Sequence, residues 1–179
     1  MIKKALYVLA SIVALIVCSG IYLYNYLVPD ATADNLVNHA TSRTISTGPI
    51  VGFNDKGVDA WLGMRYAQAP IGVLRWRAPK AAKKSPETVD ALSFGSACPQ
   101  SARGSEDCLF INVWSPENSK SLPVMFWIHG GGNSVGEAAT SIYDGSRLAR
   151  ENNVVLVSIN YRLGPLGWFR HPPLRTNDT

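Results

Sequence analysis

Two apolar runs separated by a triple glycine and a short helical stretch constrain this chain more than any other feature. Leu122–Ile128 (LPVMFWI) leads directly into His129-Gly130-Gly131-Gly132, and Val154–Ile159 (VVLVSI) follows some two dozen residues later. Runs of strand length that are apolar on both faces suit strands buried between helix layers. Between them, Ile142, Leu148 and Ala149 recur at helical spacing within Thr140–Asn152, and Asn152-Asn153 ends the segment. Strand, glycine loop, helix and strand make a β-α-β unit, for which a right-handed crossover is expected. The fold class is therefore α/β.

The glycine loop also carries chemistry. Three consecutive glycines after a buried strand let the backbone approach a ligand and leave amides unobstructed by Cβ atoms. Two amides aimed at one point stabilise the oxyanion of an acyl-transfer intermediate. A flexible glycine turn is the competing reading; the preceding His129 and the apolar strand favour the oxyanion loop of lipases and esterases.

The N-terminus is of a different kind. After Lys3 and Lys4 the chain has no charge until Asp30, and Ala5 to Tyr24 reads ALYVLASIVALIVCSGIYLY. As a helix this run spans about 30 Å, the thickness of a bilayer's hydrocarbon core. Tyr22, Tyr24 and Tyr26 stand where an interfacial aromatic belt would lie, and the two lysines place the N-terminus in the cytoplasm. An uncleaved signal anchor is the favoured reading, because the run exceeds the roughly 7–15 apolar residues of a secretory signal. Ala31-Thr32-Ala33 offers a cleavage site before Asp34 as the alternative. A lipid anchor at Cys18 is disfavoured, since Leu15-Ile16-Val17 lacks the small residue expected before such a cysteine. Each reading puts the rest of the chain outside the cytoplasm, membrane-anchored or, after cleavage, secreted or periplasmic.

Residues 1–29 are thus expected to be anchor or signal, 30–47 a polar tether, and 48–179 the start of a globular domain. Ile50-Val51-Gly52-Phe53, a turn at Asn54-Asp55-Lys56-Gly57-Val58, and Trp61–Tyr66 read as paired strands. Ala69–Pro86 reads as loop with a short helix, and Cys108–Trp114 as a further strand. Hydrophobic content of 46% and charged content of 17% fit a globular chain. The formal charge of +4 is scattered. Its densest group (Arg75, Arg77, Lys80, Lys83, Lys84) is interrupted by Trp76, Pro79 and alanines, so it reads as a solvated face and no nucleic-acid partner is expected. Cys98 and Cys108 are spaced so that either a disulfide or two free thiols is possible, and no zinc-like spacing occurs. Nothing in the sequence signals an oligomeric state.

Several stretches in order carry a family likeness: Gly63-Met64-Arg65-Tyr66-Ala67-Gln68-Ala69-Pro70-Ile71-Gly72, Leu74-Arg75-Trp76-Arg77-Ala78-Pro79, Cys98-Pro99-Gln100 and Ser105-Glu106-Asp107-Cys108-Leu109-Phe110-Ile111-Asn112-Val113-Trp114. Pro123 to Gly132, Tyr143-Asp144-Gly145-Ser146 and Asn160-Tyr161-Arg162-Leu163-Gly164-Pro165-Leu166-Gly167 continue it. Over roughly Gly48 to Pro172 the chain resembles the N-terminal portion of type-B carboxylesterases and cholinesterase-like proteins, which have the α/β-hydrolase fold. The resemblance implies that Gly131 and Gly132 supply oxyanion-hole N–H groups and that His129 shapes their loop without acting as base. It implies a Cys98–Cys108 disulfide and a structural ion pair between Arg75 and Glu106. It implies a small-molecule carboxylic ester as substrate, and neither metal nor organic cofactor. Asn133 stands where the family often has an aromatic or bulky residue, and Arg65 where many members have Pro.

The family's mechanism also needs a Ser on a Gly-x-Ser-x-Gly elbow, then an acid, then a His. The elbow is expected past Thr179, a few dozen residues beyond Asn160-Tyr161-Arg162, with none inside the chain. Gly145-Ser146-Arg147 has the wrong spacing, Gly104-Ser105 precedes an acidic pair, and His39, His129 and His171 are not assigned as base. The chain is therefore expected to supply the oxyanion loop without the triad, and to be inactive by itself. The competing readings are a cholinesterase-like adhesion protein lacking the triad and an inert truncated product. A sheet cut here is expected to expose an apolar edge around Val154–Ile159 and to aggregate.

Overall fold

The computed structural model describes residues 11–20 and 35–174. Residues 11–20 form a helix, α1. The expected membrane run from Ala5 to Tyr24 lies only partly among the described residues, where no helix is long and apolar enough to cross a membrane.

In chain order the strands are β1 (Asn38–Ile45), β2 (Gly48–Asp55), β3 (Val58–Arg65), β4 (Val89–Asp90), β5 (Phe110–Pro116), β6 (Val124–Ile128) and β7 (Val155–Ile159). They form one mixed sheet in the order β1-β2-β3-β5-β7-β6, with β4 parallel to β2 off that path. The β2–β3 hairpin closes where the sequence places its turn. Lys56 and Gly57 both have positive φ, 51° and 85°, which matches the primed two-residue turns whose twist suits a hairpin.

The sheet begins earlier than expected. Residues 38–45, read as tether, form β1 antiparallel to β2; residues 30–34 lie outside the described ones. Composition hides this strand because most of its side chains are small, polar and exposed. One of them, Thr41, is fully buried: its Oγ1 accepts from the Gly52 N–H (2.8 Å) and its carbonyl accepts from Trp61 Nε1 (2.9 Å). A polar segment thus joins the core through hydrogen bonds rather than apolar area.

One sheet face packs under α2 (Gly145–Asn152), which touches β5, β7 and β3. Phe53, Val58, Ala60, Leu62, Trp114, Ala149 and Leu156 are buried there. The helical face expected from the sequence is correct at Ala149 only, since Ile142 precedes α2 in a short 3-10 turn (Ser141–Tyr143) and both Ile142 and Leu148 are exposed. Asp144 caps α2 by accepting from the Ser146 N–H, and Asn153 ends it in the left-handed region at φ 51°. The opposite face, with Trp61, Met64, Ile111 and Val113, floors an open hollow of about 840 Å³.

The exposed apolar edge is present, but on β6. The β7 strand lies between antiparallel β5 and parallel β6, with Leu156, Val157 and Ser158 buried. The crossover carries the earlier strand outside the later one. Val124 to Ile128 are consequently 40–65% exposed, where the sequence led us to expect burial between helix layers.

Cys98 and Cys108 are joined in a disulfide, which decides between the two cysteine readings. With Ala67, Leu109, Leu163, Tyr66 and Tyr161 they form a separate core. Beside it Arg75 forks onto Glu106 with two 2.6 Å contacts, and Arg65 forks onto Asp107 while covering the Phe110 ring. Both pairs are partly exposed, so water screens them and they fix geometry more than they stabilise.

The Arg75 and Arg65 hydrogen bonds hold the Glu106 and Asp107 carboxyls below their ordinary values. Carboxyls lowered in the fold contribute stability above their unfolded pKa and lose it as pH falls through the folded value. Glu106→Gln combined with Asp107→Asn is therefore expected to flatten the acid limb of a urea-midpoint profile below about pH 5. A profile parallel to wild type would contradict this. Exposure of β6 leads to a second expectation. Produced by itself, the 179-residue chain should self-associate in size-exclusion chromatography with light scattering, and Val124→Lys with Phe126→Glu should shift it towards monomer. An unshifted profile would place the contact elsewhere.

Candidate active site

The β6 strand ends at Ile128, and the chain turns at its carboxyl end, where open α/β sheets bind ligands. His129 is buried at the base of this turn, stacked on Tyr161 with ring centroids 4.4 Å apart. Tyr161 also donates its hydroxyl to the His129 carbonyl at 2.9 Å. His129 Nδ1 lies 2.9 Å from the Gly130 carbonyl. A carbonyl only accepts, so this contact assigns the ring proton to Nδ1. Nε2 is left buried with no partner among the described residues.

Beyond Gly130 the backbone folds over itself. The Gly131 carbonyl accepts from the amides of Ser134 and Val135, both at 3.1 Å. Gly131, Gly132 and Asn133 have φ of 120°, 60° and 59°. At Gly131 a Cβ would sit 1.9 Å from the Val135 carbonyl oxygen, so only glycine fits. Asn133 tolerates its left-handed conformation better than the bulky residue common in the family, and its carbonyl accepts from the Gly164 N–H at 2.7 Å. Because the turn uses the Gly131 carbonyl and not the amides, the Gly131 and Gly132 N–H groups donate to no acceptor among the described residues. Both residues are exposed. Two neighbouring amides free at the end of a strand can bind a developing negative charge.

One expectation is corrected here. Gly132-Asn133-Ser134-Val135-Gly136 spells Gly-x-Ser-x-Gly, so the pattern does occur within the chain. Its geometry is not that of a nucleophile elbow, which needs a strand, a sharp turn and a helix in succession. Ser134 lies inside the glycine turn and donates its hydroxyl to the Gly132 carbonyl at 3.2 Å. It has no His or carboxylate partner among the described residues, so nothing there would activate it.

Sequence reasoning missed the groups that hold the turn in place. Gln100 meets both backbone groups of Gly136, accepting its N–H and donating to its carbonyl, each at 2.8 Å. Arg103 pairs with Glu137 at 2.5 Å. Asn160 accepts the Ala138 N–H at 2.8 Å and donates to the Ser96 carbonyl at 3.0 Å. Cys98-Pro99-Gln100 and Asn160-Tyr161-Arg162 stood out as family stretches, but no local pattern signals that Gln100 meets a glycine 36 residues away. The disulfide and the Arg75–Glu106 pair implied by resemblance lie beside this clamp, outside the glycine turn.

Comparison with known proteins places this arrangement. The sequence model of the carboxylesterase family matches residues 39–176, starting inside β1. Para-nitrobenzyl esterase of Bacillus subtilis (strain 168) is 42% identical over 137 residues, which are 70% of this chain and 28% of that protein. Cholinesterase of Mus musculus is 38% identical over 133 residues, covering 64% of this chain and 22% of that protein. A solved PNB esterase superposes with a TM-score of 0.72 at 40% identity, over 74% of this chain and 29% of that one. The chain thus spans less than a third of the length of these relatives. The mixed sheet is the α/β-hydrolase sheet of such esterases, and with the family match over most of its residues the chain belongs to the carboxylesterase family.

Proposed function

We propose that the whole protein hydrolyses small-molecule carboxylic esters through a serine acyl-enzyme, and that this chain supplies its oxyanion loop. The observation that carries the reading is the pair of amides at Gly131 and Gly132, without acceptors among the described residues and exposed at the carboxyl end of β6 on a turn closed by its own hydrogen bonds. A serine hydroxyl, activated by a histidine and an acid from elsewhere in the whole protein, attacks the ester carbonyl. The carbonyl oxygen becomes an oxyanion held by the two N–H groups. Its collapse expels the alcohol, and water then releases the acid by the same route in reverse. Esterases named for different substrates, among them a fumonisin B1 esterase and a cholinesterase, are similar to the chain at 40% and 38% identity. The reading is therefore made at the level of the ester class, with Asn133 shaping the acyl side.

We further propose that the domain works outside the cytoplasm, held to the membrane by a helix over Ala5 to Tyr24 or released by cleavage before Asp34. Support comes from the uncharged apolar run behind Lys3 and Lys4, and from a Cys98–Cys108 disulfide of the kind that persists in oxidising compartments. Mass spectrometry of the mature N-terminus distinguishes the two forms, and a cytosolic, reduced protein would overturn both.

The test of the catalytic reading is hydrolysis of a p-nitrophenyl ester by the product of the complete coding region. Gly132→Pro removes one N–H donor and, because proline's φ near about −65° cannot follow the 60° at Gly132, re-aims the turn as well. The variant is therefore expected to lower kcat by at least about 10²–10³-fold while cooperative thermal unfolding is retained. Undiminished turnover in that variant, or a folded wild type that cleaves no ester, would overturn the assignment.

A further inference from the structure

We propose that Gln100 is a positioning residue for the oxyanion loop, its side-chain amide splinting Gly136 so that the Gly131 and Gly132 amides keep their direction. The inference rests on the acyl-transfer reading and adds a residue that reading does not contain.

A primary amide offers a donor and an acceptor in one plane, which is what a neighbouring strand offers a backbone residue. Gln100 is buried, and it spends both functions on Gly136: Oε1 receives the Gly136 N–H and Nε2 donates to the Gly136 carbonyl, each at 2.8 Å. Two bonds to one residue fix the orientation of its peptide planes as well as its position.

Gly136 is where such a hold reaches the site. It has φ of 117° and lies hard against the base of the turn, where a Cβ would come within 2.4 Å of His129 Nδ1 and 2.5 Å of the Gly130 carbonyl oxygen. The chain from Gly130 to Gly136 is thus pinched shut at its base. It is braced within by the bonds from Ser134 and Val135 to the Gly131 carbonyl. The Gly131 and Gly132 amides sit at the top of this closed turn, so a shift at Gly136 tilts them.

The splint has a rigid anchor. Gln100 and Arg103 exchange backbone hydrogen bonds at 2.9 and 3.0 Å. Gln100 Nε2 also reaches the Cys98 carbonyl at 3.2 Å, and Cys98 is tied to Cys108. Arg103 grips Glu137, the residue after Gly136. The segment closed by the disulfide therefore holds two consecutive residues at the foot of the oxyanion turn.

A merely structural glutamine would, when lost, reduce the amount of folded enzyme. Loss of a positioning glutamine weakens contacts that are stronger in the transition state than with bound ester, so kcat falls while KM holds. The test uses the full-length protein. Gln100→Met fills similar volume without the hydrogen bonds, and Gln100→Glu keeps the acceptor but sets an oxygen against the Gly136 carbonyl. Both are expected to lower kcat about tenfold or more, below the cost of deleting a donor outright, with KM within about threefold. The inhibition constant of a trifluoromethyl ketone, whose serine adduct carries the oxyanion, should rise in parallel with the loss in kcat. Arg147→Ala, on the exposed face of α2, serves as the unaffected control. Hydrogen exchange over residues 129–137 gives a readout that needs no activity, and it should quicken in Gln100→Met. Unchanged exchange, wild-type kcat in a folded variant, or a loss confined to KM or folded fraction overturns the splint. A wild type that cleaves no ester, with exchange quickened as expected, overturns the acyl-transfer reading and leaves the splint standing as a structural clamp.

Discussion

The parallel register between β6 and β7 is the constraint on which the site depends. Five consecutive pairs, Val124 with Val155 through Ile128 with Ile159, align the carboxyl ends of the two strands. That alignment sets His129 beside Asn160 and Tyr161. Tyr161 then stacks on the imidazole and bonds its carbonyl, while Asn160 bonds the Ala138 amide. A slip of one residue would turn every side chain of β6 to the other face and separate these partners. The glycine turn gains a defined exit because the adjacent strand ends in polar groups that meet it there.

The register is itself held by close packing of the crossover. Gly145 opens α2 so near the sheet that a Cβ would lie 2.5 Å from the Trp114 ring and 2.5 Å from Leu156 Cδ2. The Tyr143-Asp144-Gly145-Ser146 stretch therefore has two structural tasks: Asp144 caps the helix, and Gly145 lets the helix settle onto β5 and β7. Trp114, almost fully buried in the middle of β5, is the floor on which α2 rests. Core packing of this density tolerates little added volume.

Around the turn, hydrogen bonds and a covalent link do what apolar burial does in the sheet. Gly130 to Val135 are exposed and contribute almost nothing to the core. Their conformation is held from below by Gln100, Arg103, Asn160 and Tyr161, of which Gln100 lies two residues after the buried Cys98 and Asn160 directly follows the end of β7. Arg65 is absorbed by pairing with Asp107 across the antiparallel β3–β5 boundary and by covering Phe110. Half-exposed pairs of this kind orient loops more than they stabilise them.

Periodicity and turn chemistry alone were enough to place the β2–β3 hairpin, the two apolar strands and the glycine turn. For the helix between the strands they gave its presence and its end but not its start or its buried face. The hairpin, strands and glycine turn are written locally, in Lys56-Gly57, in runs of branched and aromatic residues, and in Gly130-Gly131-Gly132. Motif order added the family, the disulfide and the Arg75–Glu106 pair. Tertiary structure decided the rest, because those features are defined by partners distant along the chain. Strand β1 exists because one Thr41 reaches Gly52 and Trp61, and hydropathy cannot see a strand held by hydrogen bonds. The outer position of β6 follows from strand order, which two similar apolar runs do not encode. Gly132-Asn133-Ser134-Val135-Gly136 matches an elbow in letters, yet it is a turn in space because no helix follows it. The contact of Gln100 with Gly136 at the foot of the glycine turn belongs here too, made across 36 residues by groups that carry no local signal of each other.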